Sequence, residues 1–191
     1  MANPDAAFGF RPVNNDLGPY TGQTRRCVWG TSGSAVQAYI GDVVQADNVS
    51  YPTDATNTGE QTVLHAAIGN QVYGVVVSFE ANPDNLSQQY RPASQARFCQ
   101  VALAEGNLFE VQDAGTAGTA GIGLNALIST GGGSVYTGQS TQEIGGFTAN
   151  STGDLQVVGG VNRVDNDLTL ANANWIVKFN NPASKPVRTG T

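Results

Sequence analysis

Chemistry in a folded chain starts from groups that titrate, attack or hold a cation, and this sequence is short of them. One histidine and two cysteines stand among 191 residues. His65 lies in the apolar run Thr62-Val63-Leu64-His65-Ala66-Ala67, where an imidazole is more often a hydrogen-bonded structural group than a base or ligand. Cys27 and Cys99 are too far apart for a CxxC motif and have no histidine nearby. Two buried free thiols are the expected state, with a single disulfide as the alternative. Asp165-Asn166-Asp167 and Asp84-Asn85 offer hard oxygen ligands, but neither has the spacing of a calcium loop. Glu105 and Glu110 flank an expected turn, and a general acid/base pair needs a cleft that the sequence does not announce. The run Gly115-Thr116-Ala117-Gly118-Thr119-Ala120-Gly121 lacks the Gly-Lys-Ser/Thr ending of a phosphate cradle. These readings predict no catalysis, no cofactor and no metal.

The same scarcity extends to charge. Charged residues are 13% of the chain, about half the usual share, and the net charge is −6. An acidic chain with scattered basic residues gains little counterion-release energy from phosphates, which excludes nucleic acid as a partner. A surface rich in Thr, Asn, Gln and Ser can be desolvated at modest cost, because few full charges must leave water. That composition suits a protein packed against other subunits. The N-terminus Met-Ala-Asn-Pro-Asp-Ala-Ala-Phe has neither the charged nor the apolar region of a signal peptide, and no apolar run is long enough to span a bilayer. The expected setting is soluble, with synthesis in a cytoplasm and no membrane partner. Without a secretory signal, the Asn-Val-Ser and Asn-Ser-Thr triplets at 48 and 150 carry no glycosylation reading.

The elements that would position these groups are short and extended. Strand patterns cover Ala35–Ile40, Asp42–Ala46, Val72–Phe79, Phe98–Leu103, Leu108–Gln112, Ile122–Ile128, Ser134–Thr137, Leu155–Val164 and Asn174–Phe179. Asn82-Pro83-Asp84-Asn85 is a turn by its residue chemistry, and Gly131–Gly133 another. The link Ala104-Glu105-Gly106-Asn107 reads as a hairpin connection between its neighbours. A short helical piece is expected near Asp84–Tyr90. Regular short strands with glycine-rich turns predict an all-β barrel or sandwich.

Both ends read as arms around a β-barrel-like body spanning residues 21–181. Residues 1–20 hold Pro4, Pro12 and Pro19 with Phe8, Phe10, Arg11 and Val13, and residues 182–191 form a proline-containing C-terminal tail. Proline favours extended chain over regular pairing. The large apolar residues of the N-terminal arm must be buried somewhere, and a neighbouring subunit is the expected place. An arm folded back on its own barrel is the alternative. Phe8, Phe10, Arg11 and Val13 are thus the candidate interface residues.

The opening Met1-Ala2-Asn3-Pro4-Asp5-Ala6-Ala7-Phe8-Gly9-Phe10-Arg11-Pro12-Val13 resembles the start of small structural proteins of tailed bacteriophages. The likeness continues in order through Ile40-Gly41-Asp42-Val43-Val44, Tyr73-Gly74-Val75-Val76-Val77, Leu108-Phe109-Glu110-Val111-Gln112, Gly123-Leu124-Asn125-Ala126, Thr137-Gly138-Gln139-Ser140-Thr141, Leu155-Gln156-Val157-Val158-Gly159 and Asn174-Trp175-Ile176-Val177-Lys178-Phe179-Asn180. The family it resembles is the head decoration, or capsid cement, proteins. The resemblance implies a non-enzymatic virion protein attached to the outside of the major capsid protein lattice, commonly as a homotrimer. Two other roles remain open from the residues: a neck, tail or head-fibre component, and a carbohydrate-binding β module that stacks sugars on Trp29, Trp175 or the tyrosines.

Overall fold

The computed structural model describes residues 2–29, 36–47, 59–115, 118–129, 131–149 and 153–183. The chain is all-β. Its strands are β1 (Arg11–Asn15), β2 (Gly18–Pro19), β3 (Arg25–Trp29), β4 (Val43–Ala46), β5 (Gln61–His65), β6 (Gly74–Phe79), β7 (Arg97–Leu103), β8 (Asn107–Gln112), β9 (Asn125–Ile128), β10 (Ile144–Thr148), β11 (Leu155–Gly160) and β12 (Asn174–Phe179). The one helical element among the described residues is a 3₁₀ turn, Thr119–Gly121.

Two β units share the chain. Strands β3-β5-β4-β6-β7 close a barrel, in which β3 and β5 run parallel and the other pairs antiparallel. The second unit is a curled sheet of order β10-β9-β11-β12-β8-β1-β2. A parallel bridge from Asp113 to Ile144 carries the end of β8 against β10 and helps curl this sheet on itself.

Alternation along the strands places the cores. In β12, Trp175, Val177 and Phe179 are buried while Ile176 and Lys178 are half-buried, and in β11 Leu155 and Val157 point inward. These residues join Phe109, Val111, Ala126 and Ile144 in the sheet's core. The barrel is filled by Cys27, Trp29, Val44, Val63, Val76, Cys99 and Val101. Val43, Val75 and Ala102 belong instead to the sheet core, so β4, β6 and β7 bury both faces. A strand covered on both faces reads as a continuous apolar run, which accounts for Val75-Val76-Val77.

The N-terminal segment is extended but is not a projecting arm, and here the sequence reading is corrected. β1 pairs with β8, and Phe10 lies in the sheet core at 2% exposure. Its ring meets Phe179 at 5.6 Å between centroids, and Phe179 in turn meets Phe109 at 5.2 Å. Ahead of it, the Ala6 amide donates to Gln112 Oε1 and Gln112 Nε2 donates to the Pro4 carbonyl. The segment therefore covers the second face of β8, so that Glu110 and Gln112 are buried beside Phe109 and Val111. Its close passage over the barrel requires two glycines. Gly9 has φ +73° and Gly41 φ +95°, and the Phe10 amide donates to the Gly41 carbonyl at 2.9 Å. A Cβ on Gly41 would stand 2.6 Å from the Phe8 carbonyl oxygen. The physical reason for the correction is that proline removes a single donor without preventing a strand: Pro12 sits at a register shift in the β1–β8 ladder, outside the two residues of β1 that pair with β2.

Four local expectations also change. β7 and β8 do not form a hairpin: β7 pairs with β3 and β6, whereas β8 pairs with β1 and β12. The link between them is a corner where the chain leaves the barrel for the sheet. Ala104 still donates to the Tyr73 carbonyl, while the Gly106 carbonyl accepts from Asp16. Ser134–Thr137 is a turn closed by the Gly138 amide on the Ser134 carbonyl, not a strand. Asp84–Tyr90 forms successive Asx turns rather than a helix, since the side chains of Asn82 and Asn85 accept from the amides of Asp84 and Ser87. Ala38 and Ile40 make isolated bridges only, and Ala35 lies outside the described residues. At the C-terminal end, Pro182 and Ala183 follow Val72 in a parallel bridge, and residues 184–191 of the expected tail lie outside the described residues.

Candidate functional site

Most of the described groups that could do chemistry are engaged in holding the fold. His65, at the end of β5, places Nε2 3.0 Å from Asp42 Oδ2, and the same oxygen accepts from the Tyr39 amide at 2.7 Å. The imidazole packs edge-on against Trp29 at 4.7 Å. An acyl-transfer triad would add a hydroxyl or thiol on the other ring nitrogen, and the described residues place none in hydrogen-bond contact there. The pair joins the barrel wall to the Tyr39–Asp42 turn.

Glu110 is not half of an acid/base pair. Its carboxylate, 6% exposed, meets Arg11 at 2.8 Å and Arg163 at 2.9 Å, so it ties the N-terminal strand to the loop after β11. Glu105 is exposed at the corner between β7 and β8. Asp113 is fully buried and accepts from Trp175 Nε1 at 2.8 Å and from the Ala173 amide at 3.2 Å. Burial pushes its carboxyl above the usual range, against the pull of those hydrogen bonds. Glu143 is also pushed up, first by burial and then by the neighbouring charges of Asp5 and Asp113. This is a cost carried inside the fold, where the acceptors satisfy buried donors.

The Asx-rich segments are turns. Asn166 donates to the carbonyls of Val161 and Asn174 and accepts from the Asn174 amide. Asp167 accepts from the amide and hydroxyl of Thr169, which hold its carboxyl below its ordinary value. Asn3 reaches across to the same loop, donating to the Asp167 and Ala171 carbonyls and accepting from the Asp167 amide. Among the described residues, no group of three or more His, Cys, Asp and Glu side chains is arranged to hold a metal ion. The described part of the glycine-rich run holds the 3₁₀ turn and the Gly115 carbonyl, which accepts from the Asn172 amide. No helix among the described residues is long and apolar enough to cross a membrane.

Two buried arginines organise the loops on the other side of the barrel. Arg91 is fully buried, donates to the Gln95 and Val36 carbonyls, and is pushed down to about 10 by desolvation. Arg97 donates to the carbonyls of Tyr90, Gln88 and Glu80. Between these loops lies a surface groove of about 640 Å³, walled by the Asn82–Asn85 turn and residues 94–98. Its carboxylate Glu80 is already paired with Arg26 at 2.7 Å, and the Arg26 guanidinium lies 3.7 Å above the Phe98 ring.

Of the four candidate interface residues, the chain's own core takes Phe10. Phe8 is half-buried with the Arg11 guanidinium 4.6 Å above its ring, and Val13 is half-buried on β1. Arg11 keeps half of its side chain in solvent while bonded to Glu110. The structure thus brings Phe8, Arg11 and Glu110 together and separates Phe10 from them. Both tryptophans are fully buried, so neither offers a sugar-stacking platform.

Among the described residues, several large apolar side chains stay in solvent. Leu17 is 99% exposed at the β1–β2 turn, Tyr136 is 96% exposed at the Ser134–Gly138 turn, and Leu86 and Val164 project from further turns. Sequence reasoning missed these tips. The available signal was a large apolar residue inside a turn motif, as in Asn15-Asp16-Leu17-Gly18, where Asn15 Oδ1 accepts from the Leu17 amide. Comparison with protein-family models, with curated proteins and with solved structures finds no match to this chain.

Proposed function

We propose that this chain is a non-enzymatic virion protein that decorates the outer surface of a tailed-phage major capsid lattice and stabilises the head, assembling there as homotrimers. The observation that supports the reading best is the set of apolar turn tips on a charge-poor surface. A free monomer gains nothing from an exposed Leu17 or Tyr136, whereas each becomes favourable when buried against a partner. Full burial of such a side chain contributes about 1.5–3 kcal/mol, and several tips engaging one lattice add through effective concentration. The ordered resemblance running from Met1 to Asn180 points the same way. A neck, tail or fibre location in the same particle would use the same surface at a much lower copy number. The carbohydrate reading loses its tryptophans and, among the described residues, would rest on the exposed Tyr136.

The test is reconstitution. Purified protein mixed with undecorated heads sediments with them at a saturating stoichiometry matching the local three-fold positions, and decorated heads break at higher temperature than bare ones. That stabilisation follows from linkage, since the ligand binds the assembled shell and not its dissociated subunits. Leu17→Ser and Tyr136→Ser lower occupancy without unfolding the protein. Attachment survives moderate salt because few charges are available for screening. Equal heat resistance of bare and decorated heads, or stripping by moderate salt alone, overturns the proposal.

A further inference from the structure

The two cysteines are more specifically arranged than a pair of core thiols needs to be. Cys27 on β3 and Cys99 on β7 are direct register partners in an antiparallel ladder. Directly opposed residues of such a ladder project from the same face of the sheet. Both are free, both are 0% exposed, and both belong to the barrel core. The Glu80 amide donates to the Phe98 carbonyl, so Phe98 turns its backbone groups to β6 and Cys99 turns its own to β3. The cysteines therefore form a hydrogen-bonded pair, for which the Cα separation is about 5.5 Å. That lies inside the Cα span of about 4.4–6.8 Å found in disulfides; the Cβ atoms of directly opposed residues stand about 4.5–5.5 Å apart, so closing the bond draws β3 and β7 slightly together.

We propose that Cys27 and Cys99 are a latent cross-strand clasp: reduced as the chain folds, and closed into a disulfide by a low-molecular-weight disulfide oxidant, which locks β3 to β7 and stiffens the five-stranded barrel. Cys27 is the attacking thiol. Its neighbour Tyr73 hydrogen-bonds the thiol, is half-buried and accepts a hydrogen bond from Arg25 at 3.1 Å, so this sulfur lies closer to a polar edge of the barrel than that of Cys99. Cys99 is sealed deeper, and burial raises both thiols, Cys27 to about 11 and Cys99 further. The Cys27 thiolate attacks the oxidant, forming a mixed disulfide and releasing one thiol. The Cys99 thiolate then displaces the second thiol and closes the Cys27–Cys99 bond. Two electrons pass from the protein to the oxidant, and the two protein protons leave on the released thiols. Because only the thiolate reacts, closure is slow in the native state and fast whenever the barrel opens. The clasp is a property of the chain itself and does not depend on what surface the protein decorates.

The experiment uses reduced, full-length protein incubated with oxidised glutathione, with and without a cycle of unfolding and refolding. Mass is measured after alkylation under denaturing conditions, and Tm is measured on the same samples. Both alkylatable thiols disappear together with a loss of two hydrogens, and Tm rises by roughly 8–18 °C for a loop of this length in a chain of this size. Reductant reverses both changes. Through the refolding cycle, Cys99→Ala and Cys27→Ser each stop at a glutathione adduct on the remaining thiol and show no rise in Tm. Two thiols that persist through the refolding cycle, a mixed or intermolecular disulfide as the end product, or an oxidised form with unchanged or lower Tm each overturn the proposal.

Discussion

Phe10→Ala separates a structural N-terminus from a free binding arm. Phe10 is 2% exposed in the isolated chain, its ring is 5.6 Å from that of Phe179, and its amide donates to the Gly41 carbonyl. The substitution leaves that backbone bond but empties a ring-sized site between β1 and β12. Phe179 is held on its other side by Phe109 at 5.2 Å, which limits how far the core can collapse into the space. Truncating a buried phenylalanine costs about 3–5 kcal/mol when relaxation is partial. In a chain of 191 residues each kcal/mol lowers Tm by roughly 2–4 °C, so the expected fall is about 6–20 °C. The assay is thermal unfolding of the purified protein, followed by circular dichroism at two protein concentrations tenfold apart. The loss is expected to be independent of concentration, because the contact lies within one chain. Val13→Ala, at a half-buried position on the same strand, serves as the smaller control. If Phe10→Ala leaves Tm within about 2 °C of the parent, or if the loss appears only at high concentration, the N-terminal segment is not part of this core and the argument fails.

Gly41→Ala is expected to destabilise more than an ordinary surface change, by upwards of about 2 kcal/mol, since φ is +95° and the new Cβ would meet the Phe8 carbonyl; denaturant midpoints at unchanged m-value check it. Asp113 imposes a pH dependence with a defined sign. Its folded value lies above the ordinary 3.8, so the folded state holds the proton more tightly and stability falls as pH rises from 3.8 to the folded value. The contribution is lost once the pH has risen past the folded value. Asp113→Asn keeps an acceptor for Trp175 or Ala173 but cannot ionise, so its stability relative to the parent should improve from pH 4 to pH 7, with the nearby Asp5 and Glu143 charges acting in the same direction. A pH-independent difference in urea titrations, or one of opposite slope, contradicts the burial argument.

The residues alone determined the all-β class, the full extent of β12, the Asn82–Asn85 turn and the free, buried state of the cysteines. Each of these is local. Alternation with period two, turn chemistry and side-chain polarity are written in a few neighbouring positions, and scarce charge is a property of composition. The double burial of β8 was not legible in this way. In the sequence Glu110 is a carboxylate beside an expected turn and Gln112 the end of a strand, and nothing local shows that the N-terminal segment covers them with Arg11, Ala6 and Pro4. The corner at Ala104–Asn107 was hidden for a related reason. A tight link encodes a change of direction, but whether the next strand pairs back or crosses to another sheet depends on which distant edges are free. Here β7 already has β3 and β6 on its two sides, while β8 finds β12 and β1. The same holds for the opposition of Cys27 and Cys99. Nothing near either cysteine specifies its partner, because register across a ladder is set by how the whole hydrophobic face is buried. The arrangement of the candidate site was thus decided by tertiary structure: it satisfies His65, Asp113 and Glu110 inside the fold and leaves Leu17 and Tyr136 in solvent.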